Sequence, residues 1–143
     1  MELRKNDDIQ LHIEAMTSEG SAIGHYDGVA VFVRGAVPGD DILAHIIKIS
    51  RRYCIATVKE IVSPSPHRIP SDCPVSEKCG GCSLRNMTYA EELRYKKSRV
   101  QDAVSRIGHL EITVEDIIGA DKTEHYRNKA QYPVRIENGT LTA

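Results

Sequence analysis

The sequence predicts an α+β protein: a small β-barrel or sandwich, then a cysteine loop, one long helix and the start of a second mixed domain. Three observations predict this order. Residues 1–63 combine short apolar runs with glycine turns, residues 64–88 begin with two prolines one residue apart and contain a cysteine cluster, and residues 89–143 open with helical periodicity. We therefore divide the chain into these three segments.

The β-region begins with a strand in which apolar and polar residues alternate. Apolar residues alternate here with the polar Asp8, Gln10, His12 and Glu14, which is the period of two of a half-buried strand. The apolar positions are Ile9, Leu11, Ile13 and Ala15. Two further β-rich runs cover residues 41–50 and 54–62. Short strands separated by turns predict a small antiparallel barrel or sandwich. The turn signals are Gly20, Gly24, Asp27-Gly28, Gly35 and Pro38-Gly39-Asp40.

The composition, with 41% hydrophobic and 27% charged residues in 143, is that of a globular protein. No apolar run approaches the length of a membrane span, and the opening residues lack the apolar core of a signal peptide. We expect a cytoplasmic monomer with no membrane partner. Residues 1–47 hold three Lys/Arg against eight Asp/Glu, and the remainder holds sixteen against twelve. This asymmetry is a weak indication of a polyanionic partner, and solvated faces explain it equally well.

A helix is predicted after the cysteines. Pro64 and Pro66 end the β-region, because proline cannot donate to a sheet. Thr88-Tyr89-Ala90-Glu91 has the form of a capping box, which predicts a helix start. Gly108 follows the last apolar position, as expected of a residue just past a helix end. The apolar face consists of Leu93, Val100, Val104 and Ile107.

The remaining residues predict further strands. Residues 112–118 form one expected strand, and residues 127–136 a second extended stretch. Asn138-Gly139 favours a type I′ hairpin turn. Because the return strand has barely begun at Ala143, we expect the natural protein to continue, with a short final strand as the alternative.

Cys73, Cys79 and Cys82 lie within ten residues, with Gly80-Gly81 between the last two. Without a secretory signal, such a cluster predicts a metal site rather than disulfides. Zinc and iron-sulfur clusters both use thiolates and both usually need four protein ligands. The alternative to a metal site is that these three cysteines are unligated thiols in the core or at the surface.

A closed site needs a fourth ligand, which Cys54, His67 or residues after Ala143 can supply. Cys54 lies in an apolar-rich run, and we expect it to be a small buried hydrophobe instead.

Several motifs resemble known families. Ser21-Ala22-Ile23-Gly24, Asp27-Gly28-Val29-Ala30-Val31-Phe32-Val33 and Gly35-Ala36-Val37-Pro38-Gly39-Asp40 resemble the TRAM domain, a small RNA-binding β-barrel of the OB type. Asp72-Cys73-Pro74, Cys79-Gly80-Gly81-Cys82 and Tyr126-Arg127-Asn128-Lys129-Ala130-Gln131 resemble the uracil-C5 RNA methyltransferases that modify ribosomal and transfer RNA. The resemblance covers nearly the whole chain from about Asp8.

The resemblance implies three parts: a TRAM barrel, a central region with a 4Fe-4S cluster, and a carboxy-terminal Rossmann-like methyltransferase domain that this chain lacks. In the family a cysteine adds to C6 of uracil, C5 takes the methyl group of S-adenosylmethionine, and a base removes the C5 proton. Those residues and the fourth cluster cysteine are downstream in the family. We therefore expect this chain to hold no catalytic residue and to be inactive alone. Cys73, Cys79 and Cys82 match the first three cluster ligands.

The expected function is the RNA-binding and cluster-binding part of an S-adenosylmethionine-dependent 23S rRNA (uracil-C5) methyltransferase, with ribosomal RNA preferred over transfer RNA. The first rival is a stand-alone TRAM-type RNA-binding module with a metal knuckle and no activity. The second is a radical-adenosylmethionine methylthiotransferase, whose cluster motif has a shorter first gap than the five residues between Cys73 and Cys79. The third is a zinc-ribbon protein with no RNA role.

Two sets of residues are candidates for RNA contacts. At a predicted turn, cations for phosphate adjoin an aromatic ring for base stacking, although solvated turn residues give the same pattern. In the second set, which lies near RNA in the family, Arg127 and Lys129 alternate on an extended segment. The first set is Lys48, Arg51, Arg52 and Tyr53, and the second is Arg127, Asn128, Lys129 and Gln131.

Overall fold

The computed structural model describes residues 3–76, 81–126, 128–129, 131 and 133–142. Within these residues the fold is α+β, as predicted, with a six-stranded sheet, a separate two-stranded sheet and one long helix. A π-helical turn, Ala103–Ile107, extends the helix. The elements are β1 (Asp8–His12), β2 (Ala15–Met16), β3 (Ala22–Tyr26), β4 (Val29–Arg34), β5 (Asp41–Ile49), β6 (Tyr53–Ser63), α1 (Tyr89–Asp102), β7 (Arg135–Glu137) and β8 (Thr140–Thr142).

The large sheet closes into a barrel. Its order is β1-β5-β6-β4-β3-β2, and all neighbours are antiparallel except β4 and β6. Because β1 and β2 are consecutive in the chain yet lie at opposite edges, one bent strand joins the two edges. At the bend, Ile13 N donates to Asp40 O at 2.9 Å and Glu14 N to Ile23 O at 2.9 Å. If β1 and β2 are counted as one bent strand, the barrel has five strands. A five-stranded Greek-key barrel with this topology is an OB fold.

The strand alternation fills the barrel. Ile9, Leu11 and Ile13 are buried, as the predicted period of two requires, but Ala15 is exposed, so the alternation ends at Ile13. The two predicted runs at residues 41–50 and 54–62 correspond to β5 and β6. Cys54 is 2% exposed within the core, as predicted, and burial raises the pKa of its thiol. The rest of the core is Ala22, Val31, Val33, Ala36, Ile42, Ala44, Ile46 and Ala56.

Gly24 allows the barrel to close. A Cβ at this position would lie 2.2 Å from the His12 carbonyl oxygen, which no side chain can tolerate. The backbones of β1 and β3 therefore approach each other only because residue 24 has no side chain.

The two ends of the helix differ from the predicted caps. The helix begins after Thr88 as predicted, but the Thr88 side chain makes no capping hydrogen bond. Glu91 is buried and accepts from Arg94 Nη2 at 2.7 Å instead of reaching back to the N-cap, so the capping-box prediction was wrong. Gly108 has a φ of −76°, and the left-handed residue is His109 with a φ of 51°.

Residues 112–118 form no strand, contrary to the prediction. Two of their backbone groups bond to a helix side chain instead. The Gln101 amide accepts from Val114 N at 2.8 Å and donates to Ile112 O at 2.9 Å. Farther along, Ala120 N donates to Tyr89 Oη at 2.7 Å.

The Asn-Gly hairpin is confirmed. Asn138 and Gly139 have φ values of 50° and 79° between β7 and β8, as a type I′ turn requires. Of the predicted extended stretch at residues 127–136, only residues 135–136 belong to a strand among those described. No helix of the described chain combines the length and the apolarity needed to cross a membrane.

Candidate functional site

The first predicted set of RNA contacts lies at one end of the barrel. Ser50 N donates to Tyr53 O at 2.9 Å and closes a tight turn between β5 and β6. Arg51 and Arg52 are exposed at the tip of this turn. Lys48 is exposed on β5, where it pairs with Ile55 of β6. The structure therefore brings Lys48, Arg51, Arg52 and Tyr53 together.

An aromatic pair adjoins this turn on the outer surface. Because Val31 and Val33 point into the core, Phe32 between them points outward and is half-buried. The ring centroids of Phe32 and Tyr53 are 5.4 Å apart, with planes at 69°. This edge-to-face pair leaves aromatic surface beside the cationic turn.

Sequence reasoning missed Phe32 as a functional candidate, and it also missed Arg34, two residues farther along the same strand. The signal was present, because a phenylalanine between two core valines on one strand must face the other way. Its pairing with Tyr53 depends on the parallel contact of β4 and β6, in which Ala30 is opposite Tyr53, and no local pattern indicates that contact.

The cations around the aromatic pair are not neutralised by carboxylates. Within the described residues, Arg34, Lys48, Arg51 and Arg52 make no ion pair, whereas Lys59, the other cation between residues 15 and 63, pairs with Asp8. We define the RNA-face candidate as Arg34, Lys48, Arg51, Arg52, Phe32 and Tyr53. Cations free to meet phosphate, beside rings on which bases can stack, characterise surfaces that bind single-stranded nucleic acid.

The outer surface of β1 and β5 has the opposite character. Asp8 accepts hydrogen bonds from Lys59 and His45, which hold the pKa of its carboxyl below the usual value. At the other end of β1, His12 Nδ1 lies 2.7 Å from Asp41 Oδ1. On this surface the cations are already paired with carboxylates, so it is not suited to binding a polyanion.

The described cysteines of the cluster lie near one guanidinium. Arg85 Nε donates to Asp72 Oδ1 at 2.8 Å. That carboxylate, and more weakly the thiols of Cys73 and Cys82, raise the pKa of Arg85. Cys73 and Cys82, which eight residues separate, are thus both near the Arg85 guanidinium. Cys79 lies outside the described residues.

The donors suit a soft metal centre. In the part of the chain that the structure describes, no group of three His, Cys, Asp or Glu side chains can hold a metal ion. The thiols of Cys73 and Cys82 are ligands of the kind that iron-sulfur clusters and zinc take, and further ligands must complete the set. Cys54 is enclosed in the barrel core and cannot be one of them without unfolding β6. Cys73 also lines an open groove of ≈ 710 Å³ with Arg68, Pro70 and Asn86.

A buried ion pair anchors the residues before the cysteine segment to the barrel. Asp40 is completely buried and accepts from Arg68 Nη2 at 2.6 Å, from Ser65 N at 2.9 Å and from Val37 N at 2.7 Å. Burial alone raises the pKa of Asp40, but the hydrogen bonds from Arg68 and the two backbone amides outweigh it and hold the pKa below its usual value. Arg68 Nη2 also donates to Gly35 O at 2.8 Å.

The second predicted set of RNA contacts is only partly described. Asn128, Lys129 and Gln131 are exposed and belong to no helix or strand, and Arg127 lies outside the described residues. The predicted alternation of Arg127 and Lys129 on one strand face therefore stays a prediction.

Curated proteins resemble this chain along almost its entire length. It is 40% identical over 141 residues to an uncharacterized RNA methyltransferase of Listeria monocytogenes, a match that covers 99% of this chain and 31% of that protein. It is 39% identical over 142 residues to a protein of the same description in Halalkalibacterium halodurans, and 36% identical over 139 residues to one in Clostridium tetani. The chain thus spans about a third of the length of these relatives, at their amino-terminal end.

No protein-family model matches the chain. Among solved structures, a conserved protein of Methanococcus maripaludis aligns with 40% of the chain at 24% identity and a TM-score of 0.39. By sequence, the chain is similar to the amino-terminal third of these proteins, which are named RNA methyltransferases.

Proposed function

We propose that this chain is the RNA-binding and cluster-binding part of an S-adenosylmethionine-dependent RNA uracil-C5 methyltransferase whose substrate is ribosomal RNA. The observation that carries the proposal is the RNA-face candidate, where the Phe32–Tyr53 pair adjoins a cationic turn whose Arg51 and Arg52 make no ion pair with any described residue. The relatives named RNA methyltransferases support the class of enzyme. The uracil-C5 chemistry and the cluster rest on the motifs around Cys73 and Cys82.

The chemistry explains why such an enzyme needs a separate RNA-holding part. A uridine can meet a methyl donor only after it leaves its stack, and that unstacking costs a few kcal/mol. An outer barrel face that stacks unpaired bases and neutralises phosphates keeps nearby RNA single-stranded. We assign this task to the RNA-face candidate, while methyl transfer belongs to residues elsewhere in the enzyme.

The product of the reaction tests this function. The full-length protein, incubated with isotope-labelled S-adenosylmethionine and unmodified ribosomal RNA, is expected to place the label in 5-methyluridine, as identified by nucleoside mass spectrometry. Transfer RNA is the matched substrate control and is expected to take up less label. Label in a different nucleoside contradicts the uracil-C5 assignment, and RNA binding without any methyl transfer favours the stand-alone RNA-binding module.

The metal content tests the cluster. We expect the protein, purified without oxygen, to contain about four iron and four sulfide per chain. Cys82→Ser is expected to lose most of this iron, because a hydroxyl is a much poorer ligand for a soft metal than a thiolate. Cys54→Ser is the matched control and is expected to retain it, since Cys54 lies in the barrel core. Zinc in place of iron overturns the cluster assignment.

A further inference from the structure

The loop between β2 and β3, residues 17–21, is a tight turn with its own hydrogen bonds. Thr17 N donates to Ser21 O at 2.7 Å, and Gly20 N donates to Thr17 O at 3.0 Å. Ser21 N also donates to Thr17 Oγ1 at 3.1 Å. These hydrogen bonds tie both ends of the loop to each other.

This loop has two contacts outside the barrel. Gly20, with a φ of +83°, faces Ser83 so closely that a Cβ on residue 20 would lie 2.9 Å from the Ser83 Cβ. From α1, Tyr95 Oη donates to Thr17 O at 2.6 Å. Because Ser83 directly follows Cys82, the first contact reaches the thiol-bearing segment itself.

The same loop leads directly into the RNA-face candidate. It ends at β3, where Ile23 pairs with Phe32 and Ala22 pairs with Val33, next to Arg34. The turn that carries Arg51 and Arg52 is at the other end of β4, since Tyr53 pairs with Ala30. The candidate face is thus bounded by the cationic turn at one end and by loop 17–21 at the other.

From these contacts we infer that loop 17–21 couples the cysteine segment to the RNA face, so that RNA affinity depends on whether Cys73 and Cys82 hold their metal. This inference rests on the proposed RNA-binding function. A metal bound to Cys82 restrains Ser83, and Ser83 restrains Gly20. When the metal is lost, the loop loses this neighbour, and RNA must order the loop at the expense of binding energy. By linkage, bound RNA must strengthen metal retention by the same factor.

The test compares two states of the full-length protein: one reconstituted with iron and sulfide without oxygen, the other stripped with a chelator. The measured quantity is the Kd for a fluorescein-labelled single-stranded RNA of about 12 nucleotides. We expect stripping to weaken binding by about tenfold, within the usual range of coupling between sites. We also expect saturating RNA to slow iron loss to the chelator.

Variants at the contact distinguish coupling from general damage. Gly20→Ala displaces Ser83 and is expected to reduce the stripped-to-loaded Kd ratio to about twofold or less. Gly139→Ala is the matched control, because Gly139 has nearly the same φ, +79°, but no atom within 4 Å of its would-be Cβ. It is expected to keep the wild-type ratio. The double variant Gly20→Ala with Ser83→Gly moves the Cβ across the contact and is expected to restore coupling.

The outcomes separate the coupling from the RNA face. Equal Kd values for loaded and stripped wild-type protein overturn the coupling alone, provided that Phe32→Leu still weakens binding. A Gly20→Ala ratio as large as that of wild type also overturns it, because stripping then acts by another route, such as unfolding. If the loaded wild-type protein does not bind the RNA at all, the proposed function and the coupling both fail.

Discussion

Asp40→Ala is expected to lower the free energy of unfolding by about 3–5 kcal/mol, the usual cost of removing one partner of a buried ion pair. The loss leaves the mostly buried guanidinium of Arg68 without its carboxylate and the amides of Val37 and Ser65 without their acceptor. Chemical denaturation followed by circular dichroism measures it, because the chain has no tryptophan.

The next residue supplies a matched control. Asp41 is exposed and pairs only with His12 at the surface, so Asp41→Ala is expected to cost less than about 1 kcal/mol. Asp40→Asn, which keeps one oxygen acceptor, is expected to lie between the two. If Asp40→Ala and Asp41→Ala lower the free energy of unfolding equally, the buried Asp40–Arg68 ion pair does not stabilise the fold as described.

The Asp40–Arg68 ion pair also predicts that the free energy of unfolding decreases at low pH. Because the pKa of Asp40 is lower in the folded protein than its ordinary value of 3.8, its contribution is fully present above that value. The contribution is lost as the pH falls through the folded pKa, since the proton then binds the unfolded chain more tightly. The stability difference between wild type and Asp40→Asn is therefore expected to shrink below pH 3.8. A difference that grows there contradicts the lowered pKa.

Phe32→Leu is expected to weaken binding of single-stranded RNA by about tenfold or more, because stacking on one ring contributes roughly 1–3 kcal/mol per base. Leucine keeps most of the apolar volume beside Ile23 and Ile55, so the barrel should remain folded. The Kd from fluorescence anisotropy measures the effect, with the melting temperature as the folding control. Val58→Leu, which also changes a partly buried apolar residue but lies outside the candidate face, serves as the comparison. Unchanged RNA affinity in Phe32→Leu would mean that Phe32 does not stack on an RNA base.

Local patterns were sufficient to predict β1, β5 and β6. The alternation at Ile9, Leu11 and Ile13 defines an inner face, and Asn138-Gly139 requires its turn, because in each case the signal lies in adjacent residues. The burial of Cys54 followed from its apolar neighbours for the same reason.

Long-range contacts account for what the sequence did not reveal. Glu91 does not form the predicted cap, because its carboxylate pairs with Arg94 and lies near His67 instead. Residues 112–118 form no strand, and Gln101 on α1 binds two of their backbone groups, Ile112 O and Val114 N. The Asp40–Arg68 clamp joins residues 28 apart, and no periodic signal marks such a pair.

The candidate site likewise has a part that local patterns predicted and a part that depends on long-range contacts. Arg51, Arg52 and Tyr53 are adjacent in the sequence, so a cationic turn with an aromatic ring was predictable. Phe32 joins them only through the parallel pairing of β4 with β6. The contact of Gly20 with Ser83 requires the cysteine segment to fold back on the barrel, and neither residue type predicts it.

The salt dependence of RNA binding tests most directly whether the cationic turn meets phosphate. For single-stranded RNA, each neutralised phosphate contributes about 0.7 to the slope of log affinity against log salt. Replacing both Arg51 and Arg52 by Ala is therefore expected to reduce the slope by about 1.4, while Lys59→Ala, which removes a cation already paired with Asp8, leaves it nearly unchanged. A double variant with the wild-type slope, or a larger change in Lys59→Ala, contradicts the assignment of RNA to this face.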